Sequence, residues 1–189
     1  MKDHPQLLPI HILGDEILRR KLQEVKEITD EIRDFAADLI FTMYERDGVG
    51  LAANQTGKDL RIFAMDATWT RDHKGKNPRV MINPVIEEFA GESANEEGCI
   101  SIPDIYAEVT RPSTITYSFT DLEGNRHRET VSGYPAIVFQ HEYDHLDGVL
   151  FIDKISSLAK LKLKRKLREI EKTAVDGVNI RVYEASSKD

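Results

Sequence analysis

Residues 141–145 read His-Glu-Tyr-Asp-His, and no other stretch restricts the fold as much. Pro135 suits the first turn of a helix and Gly148 suits its end, so a helix is predicted over Ala136–Leu146. Side chains four residues apart share a helix face; His141 and His145 can therefore grip one metal ion, with Glu142 beside it. The apolar run Ala136, Ile137, Val138, Phe139 just ahead predicts a helix buried all round. Two imidazoles and two carboxylates are costly to bury unpaired. Such a helix must either satisfy them by hydrogen bonds or commit them to a metal.

A hydrolytic metal centre takes three protein ligands and keeps one position open for water. No histidine follows His145, so the third ligand has to come from elsewhere. The chain has a single cysteine, which rules out an internal disulfide and leaves Cys99 as a buried small hydrophobe, a reactive thiol or a ligand. It lies in Glu97-Gly98-Cys99-Ile100-Ser101, where Gly98 permits close approach of the backbone and Pro103 stiffens the exit. Cys99 is thus the candidate third ligand. His4, His11, His73 and His127 have no ligand spacing and are given no role.

Around this centre the pattern predicts one α+β domain over residues 1–189. Ile28, Ile32, Phe35, Leu39 and Met43 recur at helical spacing, with Thr29 as N-cap, Asp30 and Glu31 in the first turn, and a stop at Asp47-Gly48. Gly48–Gln55 is expected to be an extended or turning loop. Short strands are expected at Arg61–Met65 and Val80–Ile86, separated by a charged surface excursion over 66–78. Within Thr114–Thr120, Ile115, Tyr117 and Phe119 alternate with Thr and Ser; turn residues 122–125 and a polar strand Arg126–Val131 complete a hairpin with one buried face. A last helix, over 155–175, carries an inward stripe of Ile155, Ala159, Leu163, Leu167, Ile170 and Ala174, and Lys160, Lys162, Lys164, Arg165 and Arg168 clothe the rest. Residues 185–189 are expected to fray.

A net charge of −7 excludes a general nucleic-acid binder, and DNA is not an expected partner. The N-terminus lacks the apolar core of a signal peptide, and no stretch approaches the ~18 apolar residues of a membrane span. A cytoplasmic location without membrane contact is expected; an organellar form with its targeting segment removed stays open.

Three separated segments, in matching order and spacing, make the chain resemble the peptide deformylase family. The family pattern glycine-any-glycine-leucine-alanine-alanine-any-glutamine is met by Gly48-Val49-Gly50-Leu51-Ala52-Ala53-Asn54-Gln55. The second segment is Glu97-Gly98-Cys99-Ile100-Ser101 and the third Gln140-His141-Glu142-Tyr143-Asp144-His145. Two positions depart from the commonest pattern: Ile100 stands where leucine is usual, and Asn54 where proline is usual. Neither change removes a reacting group.

The resemblance implies small mixed or antiparallel sheets packed around a buried metal-binding helix, with a C-terminal helix. It implies removal of the formyl group from N-formylmethionine at the start of newly made polypeptides, releasing formate. Cys99, His141 and His145 would hold one divalent metal, Fe²⁺ natively, with Zn²⁺, Ni²⁺ and Co²⁺ compatible with the same donors. Glu142 would be the acid/base, and the Gln55 amide and Ile100 N–H would stabilise the oxyanion. Substrate contacts are expected from the backbone at Val49 and Gly50, from Glu97 and Gly98, and from a slot for methionine lined by Tyr134, Ile137 and Val138. Asp144 is poised to hydrogen-bond near the ligands.

Two rival readings set this one off. A metallopeptidase would draw a third ligand from after the helix, where Glu169 and Glu171 lack a supporting motif. A non-catalytic metal staple would need four protein ligands, and the sequence offers three. Finally, the basic face of Lys160–Arg168, with Leu158 and Leu161 off the buried stripe, suits either ribosome contact or plain solvation.

Overall fold

In the computed structural model, which describes residues 4–69 and 75–181, three antiparallel sheets and three helices follow in the order β1 (Ile10–His11), α1 (Asp30–Glu45), β2 (Gly50–Ala52), β3 (Ile62–Met65), β4 (Arg79–Ala90), β5 (Ser93–Cys99), β6 (Ile102–Arg111), β7 (Thr114–Thr120), β8 (Arg126–Ser132), α2 (Tyr134–Leu146), α3 (Ser157–Glu171) and β9 (Ile180–Arg181). The largest sheet has strand order β2-β3-β4-β7-β8; β5-β6 and β1-β9 form separate pairs. His73 and the tail expected to fray lie outside the described residues.

The periodic segments fold as their patterns dictate. Phe35, Leu39 and Met43 on α1 are buried against the large sheet, and Thr29 stands at its N-cap without a side-chain bond to the helix backbone. In β7 the alternating Ile115, Tyr117 and Phe119 face the core, and Asp121 closes the turn to β8 by accepting from the Glu123 and Asn125 N–H groups at 3.0 and 2.8 Å. β4 runs longer than its apolar stretch because a register shift at 82–85 lets it bend. Asn83 takes φ 50° there and ties the bend to Val25 through both side-chain atoms, at 2.9 and 2.7 Å.

α2 is enclosed, as its apolar run predicts. Phe139 stacks on Tyr117 at 3.9 Å and meets Phe63 edge-on at 5.1 Å, which seats the helix on the large sheet. α3 instead lies over a second apolar cluster containing Ile102, Ile105, Val109, Phe151, Ile155 and Leu167. Ser156 caps it, accepting from the Ala159 N–H at 3.2 Å. None of the described helices is long and apolar enough to cross a membrane.

Three segments differ from their sequence-based description. The β5-β6 hairpin was not predicted, since β5 reads Ser-Ala-Asn-Glu-Glu-Gly-Cys without apolar alternation. Gly48–Gln55 is extended and then turning, as expected, but is regular structure and not a loop: Gly50–Ala52 pairs with β3 and Ala53–Thr56 forms a 3-10 turn, all buried. In the 66–78 excursion Asp66 is buried, accepting from the Tyr44 hydroxyl at 2.7 Å and the Asn77 N–H at 2.7 Å.

Candidate active site

The large sheet and the β5-β6 hairpin meet at α2, and there the three motif segments converge. β5 ends at Cys99, where its pairing with β6 slips out of register. The Cys99 Sγ lies 3.3 Å from His145 Nε2, and the ligand atoms of Cys99, His141 and His145 are all within 4.8 Å of one another. One thiol and two imidazoles on that scale could hold a single borderline-soft divalent ion.

A chain of charged bonds orients His141. Its Nδ1 lies 2.9 Å from Glu97 Oε2, and Glu97 is clamped by Arg111 through Nε–Oε1 (2.5 Å) and Nη2–Oε2 (2.9 Å). The remaining Arg111 nitrogen donates to Asp144 Oδ2 at 2.7 Å, and Lys154 approaches Asp144 Oδ1 at 3.1 Å. Burial alone would raise the pKa of Glu97, but the hydrogen bonds from Arg111 and His141 outweigh it and hold it at about 2. An ionised Glu97 can only accept, so Nδ1 carries the proton and Nε2 is the ring nitrogen left for a metal. Glu97 thus turns both oxygens to Arg111 and His141, where the sequence had suggested a substrate contact.

The electrostatics fit a cation among these donors. Burial disfavours a charged His141, yet Cys99, Glu97 and Glu142 together raise its pKa well above the usual value; positive charge belongs at this spot. Burial and the charges of His141 and Arg111 push His145 well below its usual value, leaving a neutral imidazole able to ligate. Two buried atoms beside this cluster, Glu142 Oε2 and His145 Nδ1, have no protein partner.

Glu142 is 4% exposed, and burial pushes its pKa to about 7 against the opposing charges of His141 and Arg111. It can therefore take up and release a proton near neutrality. Its carboxylate rests on Gly50, where a Cβ would sit 2.3 Å from Oε1. Gln55 is locked in orientation: Oε1 accepts from the Ala52 N–H at 2.8 Å, which aims Nε2 at Ser101 Oγ (3.1 Å) and Cys99 Sγ (3.4 Å). Asn54, standing where proline is usual, donates from Nδ2 to the His145 carbonyl at 2.7 Å, a bond proline has no side-chain donor to make. Arg61 adds Leu146 O (3.3 Å) and Asp147 Oδ1 (2.7 Å), so the C-terminal end of α2 is fastened by side chains from two other elements.

A cleft of ≈ 770 Å³ opens over these groups. Val49, Gly50, Gln55, Glu97, Gly98, Cys99, Ile100, Tyr134, Ile137, Val138, His141 and Glu142 all line it; of the residues expected to ligate, react or touch substrate only the buried His145 is not in the lining, and Asp144 is likewise outside it. Ile137 and Val138 are buried, and Tyr134 stands at the mouth, 54% exposed. Arg111 was missed from the sequence. The apolar alternation Ile105, Ala107, Val109 leads to it on the buried face of β6, and a cation at a core position was the available signal.

The polypeptide deformylase family model matches residues 7–161. The chain belongs to this family. A peptide deformylase of Bradyrhizobium diazoefficiens is 45% identical over 172 residues, covering 89% of this chain and 97% of that one. Among solved structures, a Thermotoga maritima peptide deformylase superposes with TM-score 0.75 at 39% identity, covering 80% of this chain and 99% of its own. A Synechococcus elongatus peptide deformylase, solved in complex with actinonin, gives TM-score 0.81 at 37% identity and covers 94% of each chain. The enzyme is accordingly a metal-dependent deformylase that removes the N-formyl group from nascent peptides, and the peptidase and metal-staple readings are not favoured.

Proposed function

We propose that Cys99, His141 and His145 hold one divalent ion, Fe²⁺ natively with Zn²⁺, Ni²⁺ or Co²⁺ able to replace it, and that Glu142 is the acid/base of deformylation. The convergence of these three donors beside the unpartnered Glu142 Oε2 carries the reading. Bound there, the ion supplies Lewis acidity that brings the ionisation of a water into the neutral range. Glu142 accepts the proton of the attacking water and returns it to the leaving nitrogen of methionine. Its buried site keeps that proton within reach of both partners. As the formyl carbon becomes tetrahedral, the Gln55 Nε2 and the Ile100 N–H meet the charge growing on its oxygen, and the Ala52–Gln55 bond has already paid the cost of orienting the amide.

Ile137, Val138 and Tyr134 form the slot for the methionine side chain. Backbone at Val49 and Gly50 pairs with the extended peptide, a mode that tolerates varied sequence beyond the first residue. Glu97 acts through His141, and Gly98 leaves room for the ring of Tyr106 opposite it on β6, which a Cβ there would meet at 2.5 Å; its backbone lines the cleft beside the peptide. We read the chain as one domain because α3 packs on β6, the strand that carries Arg111. The cytoplasm, where formylated chains emerge, is the proposed location. The basic face of α3 is proposed to contact the ribosome; undiminished co-sedimentation after reversing Lys160, Lys162 and Lys164 would remove that contact from the account.

Formate release from formyl-Met-Ala by protein reconstituted anaerobically with Fe²⁺ tests the assignment. Loss of activity in Cys99→Ser and Glu142→Ala, with metal retained in the latter, is the expected result. A metal-loaded but inactive parent enzyme would overturn it.

A further inference from the structure

The two histidines of the donor set are held in different ways. His141 is oriented through its ring, since Nδ1 meets Glu97 and Arg111 locks Glu97 from behind. His145 has no such brace. Its Nε2 faces the Cys99 Sγ at 3.3 Å, and among the described residues its buried Nδ1 has no partner. The side chain that does hold His145 reaches its main chain instead. Asn54 Nδ2 donates to the His145 carbonyl at 2.7 Å, in the last turn of α2, where carbonyls run out of intrahelical donors. The Gly148 N–H donates to the same carbonyl at a longer 3.2 Å.

Asn54 is 0% exposed, and among the described residues its Oδ1 meets no donor. An unpaired oxygen in the interior is costly, and a side chain without polar atoms would fill the place without that penalty. The chain nevertheless keeps an amide there, with its donor end on His145. The backbone beneath it is fixed: Asn54 lies in the 3-10 turn Ala53–Thr56, which packs against α2 and ends at Gly57 with φ 81°, and the Gly57 N–H donates to the Asn54 carbonyl at 3.0 Å. The next residue, Gln55, aims Nε2 at the Cys99 Sγ. One turn thus bears on two of the three donors, on Cys99 through Gln55 and on His145 through Asn54.

We propose that Asn54 is a positioning residue, setting the place of His145 in the donor set through the main chain as Glu97 sets His141 through the ring. This rests on Cys99, His141 and His145 holding the metal. The Co²⁺ form tests that premise separately: thiolate-to-Co²⁺ charge-transfer absorption is expected in the unaltered protein and not in Cys99→Ser. Its absence from the unaltered protein, or its persistence in Cys99→Ser, would overturn the metal reading and the proposal with it.

The experiment measures Co²⁺ affinity by chelator competition, the visible spectrum of the Co²⁺ form, and denaturant stability with and without metal, in Asn54→Leu, Asn54→Ala and Asn54→Pro. The three replacements differ in bulk and share the loss of the donor. Affinity should fall about ten-fold in each, as for other supports behind metal ligands, and the Co²⁺ bands should shift. A residue that only supports the fold stabilises the metal-free and metal-bound forms alike, so its removal lowers both stabilities together and leaves affinity and spectrum unmoved. Equal losses of stability with unchanged affinity would overturn the proposal. So would an affinity loss confined to Asn54→Ala, which is the mark of a cavity and not of a missing donor.

Discussion

Of the 13 residues of α2, Ala136, Ile137, Val138, Phe139, Gln140, Glu142, His145 and Leu146 are buried, whereas of the 15 in α3 only Leu167 is. The two helices solve opposite problems. α2 carries polar groups into the interior and several are met by partners from other elements, Glu97 for His141, Arg111 for Asp144 and Pro112 for Gln140, while among the described residues Glu142 Oε2 and His145 Nδ1 have none. α3 keeps its charges in solvent and holds on by one apolar stripe. Removing one partner near α2 should therefore disturb several groups at once, while charges on α3 should be replaceable almost singly.

The largest effect that tests this contrast is on turnover. Glu142→Gln should lower kcat by about 10²–10⁴-fold with metal content unchanged, and a loss under tenfold would remove Glu142 as acid/base. Next, Arg111→Met should cost about 3–5 kcal/mol in denaturant titration, because it strands buried carboxylates. The same change should weaken metal retention against a chelator by about 10–100-fold through misorientation of His141. Full retention of both would show that α2 is less dependent on its surroundings than its burial implies.

Acid pH probes the same network without a mutation. Glu97 has a folded-state pKa of about 2 against an ordinary 4.5, so its stabilisation is complete above about pH 4.5 and is lost as the pH falls toward 2. The contribution is about 3 kcal/mol, and stability measured across that window should fall less steeply in Arg111→Met, the other depressed carboxylates keeping the remainder of the slope. For α3 the corresponding lever is apolar: Leu167→Ala should cost about 2–3 kcal/mol. Smallest of all, Lys160→Glu, Lys162→Glu and Lys164→Glu together should shift stability by about 0.5 kcal/mol or less and leave formyl-Met-Ala turnover unaltered. A large loss there would mean that the basic face supports the fold after all.

The same contrast governs what could be read in advance. Both helices were legible, α2 from a contiguous apolar run with its ligands inside it and α3 from a 3.6-residue stripe; the β7-β8 hairpin followed from Ile115, Tyr117 and Phe119. The reacting groups sit inside short motifs, so Cys99, Glu142 and Gln55 could be picked out individually. Their supports could not. Arg111 acts through Glu97 from 14 positions away, and Asn54 reaches a carbonyl 91 positions on; the sequence marks each as unusual where it stands but does not say which group it meets. β5 escaped notice because its residues are polar on both faces, and two-residue strands such as β1 and β9 acquire their identity only from pairing.

The separations inside the centre bear on how the enzyme itself is made. Gln55 and Cys99 are 44 positions apart, and Cys99 and His145 are 46 apart. Contacts so distant in sequence form late, after the loops between them have closed. The donor set spans Cys99 to His145, so a molecule still in synthesis lacks the complete trap until residue 145 is free to dock. An ion that binds the assembled site and not the unfolded chain pulls the folding equilibrium toward the native state by mass action.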